Sequence, residues 1–277
     1  MTINVQFSLR STISCLLFIF LISCGNNEQA QPETERDDQP TLTVMSYNIQ
    51  HGRGMDGEIN LERIAQVILD EGADIVALQE VDMGVERSGR IDIATELADL
   101  TGLEHYVFGK NIDHQGGDYG NATLSRYPIT EHENVHFERL SNEQRGILTT
   151  MIDVDGYSLL MLNTHLAHRS QDEPERLNYI EGARDEIIPK YQADGIIFIG
   201  DFNDVPGSPT HEAVKEYLTD VWEVVGDGDG FTIPPDNPNR RIDYIFYDDG
   251  LEPLNAWVPV TMASDHLPVV GEFVLRR

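Results

Sequence analysis
Two cysteines, two tryptophans and only 19 lysines and arginines in 277 residues leave several function classes without material. Cys15 and Cys24 both lie near the amino terminus, so no disulfide framework can staple the rest of the chain, and thiolate metal centres lack ligands. The 19 cations face 48 aspartates and glutamates, a formal charge of −29. Such a chain is repelled by a polyphosphate backbone unless it gathers its cations in one place or recruits metal ions, so extended nucleic-acid binding is not expected. No segment is apolar over the roughly 20 residues a membrane-spanning helix needs. There is no internal repeat, and no nucleophile-elbow pattern of the kind a serine hydrolase requires. What is there is ordinary globular material, 40 % apolar and 24 % charged, sufficient for one large domain or two small ones.

The amino terminus reads as an address. Ile13 to Ile22 is an apolar run behind one early cation, Arg10, the size of a signal-peptide core. It ends in Leu21-Ile22-Ser23-Cys24-Gly25, which resembles a bacterial lipobox. Residues 1–23 are then a signal peptide and Cys24 is the lipidation site; an ordinary secretory signal that happens to contain a cysteine is the alternative. Residues 24–40 are polar, acidic and proline-bearing, a flexible tether of roughly 20–24 Å. The expected product is an exported lipoprotein of a bacterial cell envelope, bound to the membrane through its N-terminal lipid.

Residues 41–277 read as one α/β domain. Alternation and β-rich runs predict strands at 41–49, 74–78, 106–108, 122–125, 147–154, 157–163, 195–200, 242–247, 256–260 and 269–275. Helical spacing behind Asn60 (Leu61, Ile64, Val67, Ile68) predicts a helix that Gly72 stops. Further helices are expected at 93–100, from Pro174 to about 188, and at 209–218. Asp155-Gly156 between two strands signals a hairpin. Hairpins mixed with crossover helices suggest two packed sheets with helices outside.

Short polar groups recur just after the apolar strands: Asn48 in SYNI, Glu80 in LQEVD, Asn121 in YGNATLS, His165 in LNTHLAH, Asp201 and Asn203 in GDFND, Asp243 in RRIDY and Asp265-His266 in SDHLP. A strand end holds a side chain on rigid backbone at the rim of a sheet. The set is rich in carboxylate and amide oxygen, which suits Mg²⁺, Mn²⁺ or Ca²⁺ better than zinc. The ordered series SYN, LQE, NTH, GDFN, RIDY and SDH resembles the endonuclease/exonuclease/phosphatase family, metal-dependent phosphohydrolases related to pancreatic-type deoxyribonuclease, abasic endonucleases and bacterial sphingomyelinases. The resemblance spans about Leu42 to Phe273 and implies a four-layer α/β/β/α sandwich.

It also implies roles. Glu80 would be the principal ligand of Mg²⁺ (Mn²⁺ or Ca²⁺ being possible), with Asn48 and Asp265 assisting. Asp201 would orient and deprotonate the attacking water, and Asn203 would donate to that water or to phosphate. His266 would be the catalytic histidine, partnered by Asp243. His165 would donate to a phosphate oxygen, oriented by Asn121. A carboxylate takes the Asn121 position in some relatives, so His165 should be less readily protonated here. Tyr119, two residues before Asn121, is expected on the same strand face and in contact with phosphate.

Substrate is less constrained. Arg53, Arg87, Arg145 and Arg240 stand close to the motifs; they form either a cationic rim for an anionic headgroup or scattered surface ion pairs. The reading favoured is a phosphodiesterase or phosphatase that acts by in-line attack of water on a small or lipid-derived phosphoester. A lipid-anchored nuclease of the same family and a non-catalytic ligand-binding lipoprotein are the alternatives. Oligomeric state is unknown.

Overall fold
The computed structural model describes residues 1–2 and 41–277, so the signal peptide, the tether and Cys24 lie outside the described residues. Twelve strands and five α-helices follow among those described. In chain order they are β1 (Thr41–Asn48), α1 (Leu61–Asp70), β2 (Ile75–Met83), α2 (Ile93–Thr101), β3 (His105–His114), β4 (Gly117–Ser125), β5 (Ile129–Val135), β6 (Ile147–Val154) and β7 (Tyr157–His165). Then come α3 (Glu173–Gly182), β8 (Gly195–Asp201), α4 (Pro209–Lys215), β9 (Thr219–Asp220), α5 (Val221–Val225), β10 (Asp243–Tyr247), β11 (Leu251–Trp257) and β12 (Val269–Leu275).

The strands form two six-stranded sheets, ordered β11-β12-β1-β2-β4-β3 and β5-β6-β7-β8-β10-β9. Each sheet has one parallel pair, β1–β2 and β7–β8, and the other pairs are antiparallel. A parallel pair needs a crossover, supplied by α1 in one sheet and α3 in the other. Asn60 starts α1 by accepting from Arg63 N at 2.8 Å. The helix then turns Leu61, Ile64, Ala65 and Ile68 inward.

Side-chain alternation divides the apolar residues into three layers. Val76 and Leu78 of β2 pack outward against Ile64, Ile68 and Leu97 of α1 and α2. Ile75 and Ala77 point the other way, onto Met161, Ile197 and Ile199 of the second sheet. Leu160, Leu162 and Phe198 face Tyr179, Ile180 and Val214 of α3 and α4. The molecule is therefore the α/β/β/α sandwich that the motif series implies, with the carboxyl ends of both parallel pairs in the middle of their sheets.

Several elements depart from expectation. β2 runs on to Met83, and its pairing with β4 is interrupted between Leu78 and Val81, so Glu80 sits in a mid-strand bulge and not at a strand end. β3 and β4 are longer than expected, which puts Asn121 inside β4. β11 begins at Leu251, five residues before the predicted start. The helix after Pro174 keeps α geometry only to Gly182, then widens into a π turn (Ala183–Ile187) and a 3₁₀ turn holding Pro189. Strand β5 and helix α5 have no counterpart in the sequence reading.

Candidate active site
Two tight backbone approaches set the site. At Gly200, with φ +144°, a Cβ would lie 2.0 Å from the carbonyl oxygen of Thr164, so only glycine brings β8 this close to β7 just before Asp201. At Gly120 a Cβ would meet the Gly109 oxygen at 1.9 Å, which fixes the chain before Asn121. Register then aligns the functional residues: Asp201 pairs with His165 on one side and with Asp243 on the other. Asn48 lies beside Gln79, next to Glu80. Glu80 and Asn203 both have left-handed backbones, φ +59° and +52°, a cost of about 1–3 kcal/mol each that functional sites often carry.

The side chains converge across the two sheets. The Asn48 amide donates to Glu80 Oε1 at 3.2 Å and to Asp201 Oδ2 at 3.1 Å, so a single amide separates the two carboxylates. His165 Nε2 is 3.5 Å and His266 Nε2 3.8 Å from the same Asp201 oxygen. Asp243 Oδ2 accepts from His266 Nδ1 at 3.0 Å and from the Thr232 hydroxyl at 2.5 Å. Asp265 accepts from the Gln50 side chain at 2.8 Å. Asp201 Oδ1 accepts from Asn203 N at 2.9 Å, which holds the GDFN turn shut.

Burial and neighbours shift the titrating groups in opposite directions. Burial, and then Asp243, push the Asp201 carboxyl up to about 7. For His266 burial pulls downward, but Asp243 and Asp201 outweigh it and raise the imidazolium to about 10. His165 moves the other way, well below its ordinary value, through burial and the charge of Arg145. Burial and the charge of Asp265 raise Glu80, and burial with Glu80 nearby keeps the Tyr119 hydroxyl protonated.

Some residues behave differently from their expected roles. Asn121 is buried, but its bonds run to the main-chain oxygens of Gly146 and Asn163 at 3.5 Å and its Oδ1 is unpartnered. It makes no hydrogen bond to His165. Asn48 turns its oxygen toward Gln50 N at 3.1 Å and its NH₂ to both carboxylates, so in this orientation it is a donor between them. Asn203 Nδ2 donates to Leu166 O at 3.1 Å. Among the four arginines, Arg145 alone is fully buried; its Nη1 reaches Glu143 at 2.9 Å and its Nε lacks a partner. Arg87 is committed to the buried Asp82 through two 2.9 Å bonds. Arg53 and Arg240 are exposed, with no hydrogen bond or ion pair to the site. Gln50, Thr232 and Ser264 support the site through Asp265, Asp243 and the Asn48 carbonyl; only Ser264 stood inside a motif.

Asp201, Asp243 and His266 can bring one donor atom each within 4.8 Å of one another, and so can His211, Asp220 and Glu223. The second group already holds cations, with Arg241 2.7 Å from Asp220 and Lys215 2.8 Å from Glu223. The first lies beside Glu80 and Asp265, whose negative charges oppose each other. Asp243 Oδ1 is buried without a partner. An oxygen-rich donor set with surplus negative charge suits a hard divalent cation, so a plausible divalent-metal site exists here.

This arrangement defines a class. A model of the endonuclease/exonuclease/phosphatase family matches residues 45–266, and the chain belongs to that family. The Escherichia coli protein YbhP, itself uncharacterised, is 26 % identical over 258 residues, covering 87 % of this chain and 99 % of its own. The 5′-tyrosyl-DNA phosphodiesterase of Caenorhabditis elegans is 28 % identical over 195 residues, 67 % of this chain and 48 % of that protein. The crystal structure of an endonuclease/exonuclease/phosphatase from Beutenbergia cavernae superimposes with a TM-score of 0.70 at 26 % identity, covering 85 % of this chain and 72 % of that one.

Proposed function
We propose that the protein is a divalent-metal-dependent phosphoester hydrolase, using water as nucleophile, whose substrate is a small or lipid-derived phosphoester. The observation that carries this reading is the meeting of Asn48, His165 and His266 on one oxygen of Asp201, with Glu80 one amide away. Glu80 and Asp265 would hold the cation, Mg²⁺ in the first instance, with the Asn48 amide spacing Glu80 from Asp201. Bound there, it would neutralise phosphate charge and stabilise the leaving oxygen.

The chain's own groups supply the rest. Asp201 aligns the water and takes its proton. His266, charged and fixed by Asp243, donates to a phosphate oxygen, and neutral His165 offers a second donor. One preorganised donor of this kind is typically worth about 2.7–4 kcal/mol. Tyr119 and Arg145 are both close enough to Glu80 to feel its charge, and Arg145, with its unpartnered Nε, is the arginine best placed to meet an anionic substrate. The preference for a small or lipid-derived ester rests on the charge of −29 and on the lipobox-like sequence at Cys24.

The test is a panel of DNA, RNA, nucleotides, phosphoinositides and sphingomyelin with Mg²⁺, Mn²⁺ and Ca²⁺. Hydrolysis of a small or lipid ester, abolished by EDTA and by Glu80→Gln, is expected. Efficient plasmid cleavage with no action on the small esters would overturn the substrate assignment, and activity that survives EDTA would overturn the metal. Cys24→Ser should move the full chain from the membrane to the soluble fraction; unchanged fractionation would refute the anchor.

A further inference from the structure
The motifs LQE and NTH each contain a residue that the site does not use. Gln79 precedes Glu80, and Asn163 lies two residues before His165. Both are completely buried, in the layer between the sheets that also holds apolar side chains such as Ala77, Met161 and Ile199, and the Ser46 hydroxyl donates to Gln79 Oε1 there at 3.5 Å. There they meet: Gln79 Nε2 donates to Asn163 Oδ1 at 2.8 Å. The second Gln79 proton goes to Ala77 O at 3.1 Å. Asn163 Nδ2 donates across to the other sheet, to Leu78 O at 3.1 Å and Ala122 O at 2.8 Å.

Those two carbonyls belong to Leu78 and Ala122, the last regular pair before the β2–β4 ladder is interrupted. The interruption is the bulge that gives Glu80 its left-handed backbone. Asn163 thus bonds main-chain oxygens at the edge of the bulge. On the other side Ile49 N donates to the Gln79 main-chain oxygen at 3.2 Å, so the two consecutive peptides leading into Glu80 are held, one by Asn163 and the next by Ile49. An apolar pair of similar volume could fill this layer without loss of stability. The polar pair adds direction: it sets the register between the sheet that carries Glu80 and the sheet that carries His165 and Asp201.

We infer that Gln79 and Asn163 are a positioning pair, tying the two sheets together beneath the site and holding Glu80 in the geometry that cation binding requires. The inference rests on the proposed role of Glu80. Removal of groups that orient a metal ligand typically costs about 10–100-fold in affinity or activity, and that is the loss expected for Asn163→Asp, which keeps the shape but loses both donated bonds, and for Gln79→Met.

Mn²⁺ affinity, measured by electron paramagnetic resonance titration of the whole protein, reads the effect without turnover. Hydrolysis of bis(4-nitrophenyl) phosphate adds a kcat against KM comparison, with the loss expected in kcat. Leu218→Ala, in the outer layer against α4, controls for stability: a similar loss of Tm there should leave Mn²⁺ affinity at the wild-type level. If the Asn163 variant does not fold, Gln79→Met carries the test alone. Affinity losses no greater than in Leu218→Ala would overturn the inference. Wild-type affinity in Glu80→Gln would instead refute the role of Glu80, so the two failures are distinguishable.

Discussion
Asp201 is a site carboxyl whose ionisation the fold opposes. Its carboxyl rises to about 7 through burial and the charge of Asp243, against about 3.9 in an unfolded chain. The folded protein therefore keeps a proton that the unfolded chain releases, and the stability this contributes is full below about pH 4 and lost as pH rises to about 7. Above that range the buried carboxylate costs stability, and the proposed role of Asp201 as base would be the reason to keep it. Asp201→Asn removes the charge and keeps the volume. In EDTA at pH 8 its Tm should exceed that of the wild type, by about 2–4 °C for each ~1 kcal/mol gained, and the difference should vanish at pH 4. Turnover should fall by ~10²–10⁴-fold, the usual contribution of a general base. Calorimetry at both pH values with initial rates checks this; a lower Tm at pH 8 with rates preserved would mean that Asp201 is structural.

At the scale of elements, α3 does more than cross between β7 and β8. Two successive buried residues on it, Glu175 and Arg176, hold different loops. Glu175 accepts from Leu140 N at 2.6 Å, from Ser141 N and from the Ser141 hydroxyl, fixing the approach to Arg145. Arg176 donates to Ala167 O, Arg169 O and Asp204, which joins the segment after His165 to the one after Asn203. Arg176→Met should destabilise by about 1–3 kcal/mol, because it leaves the main-chain oxygens of Ala167 and Arg169 without their buried donor. Amide exchange in 166–169 and 203–208 should rise more than in β7 or β8; uniform acceleration would contradict a local clamp. None of this was legible in the sequence, where Arg176 looks like one charge on a charged helix. The first crossover helix was legible because Leu61, Ile64, Val67 and Ile68 keep a helical period, the buried strands because they are short unbroken apolar runs such as 195–200, and the second crossover helix because Pro174 marks its start. Strand β5 was not, because an exposed edge strand carrying Glu131, His132 and Glu133 reads as a loop, and such charges suit an edge that must not pair further. The site residues stood out through their ordered motifs. Their partners did not, because Thr232 reaches Asp243 from a separate loop, Gln50 reaches Asp265 across 215 residues and Gln79 reaches Asn163 across 84.

For the molecule as a whole, charge governs which phosphoesters can approach. With 48 acidic and 19 basic side chains, its long-range field repels a polyanion, and the field is felt over a Debye length of about 30 Å at 0.01 M salt but about 8 Å at 0.15 M. Attraction and repulsion thus predict opposite salt effects. A nuclease that holds its substrate through cationic contacts releases counterions on binding and loses affinity as salt rises. This protein should do the reverse: kcat/KM for an oligonucleotide should increase from 0.01 to 0.15 M KCl as repulsion is screened, while kcat/KM for a zwitterionic headgroup ester changes little. Of the four arginines considered for substrate, Arg53 and Arg240 are exposed, Arg145 is buried and Arg87 is already neutralised by Asp82, so these four form no continuous basic track that offsets the field. Rates measured at constant free Mg²⁺ over that salt range decide the matter. A fall in oligonucleotide kcat/KM with salt would mean that local cations outweigh the global charge, and would move the substrate assignment from small esters to nucleic acid.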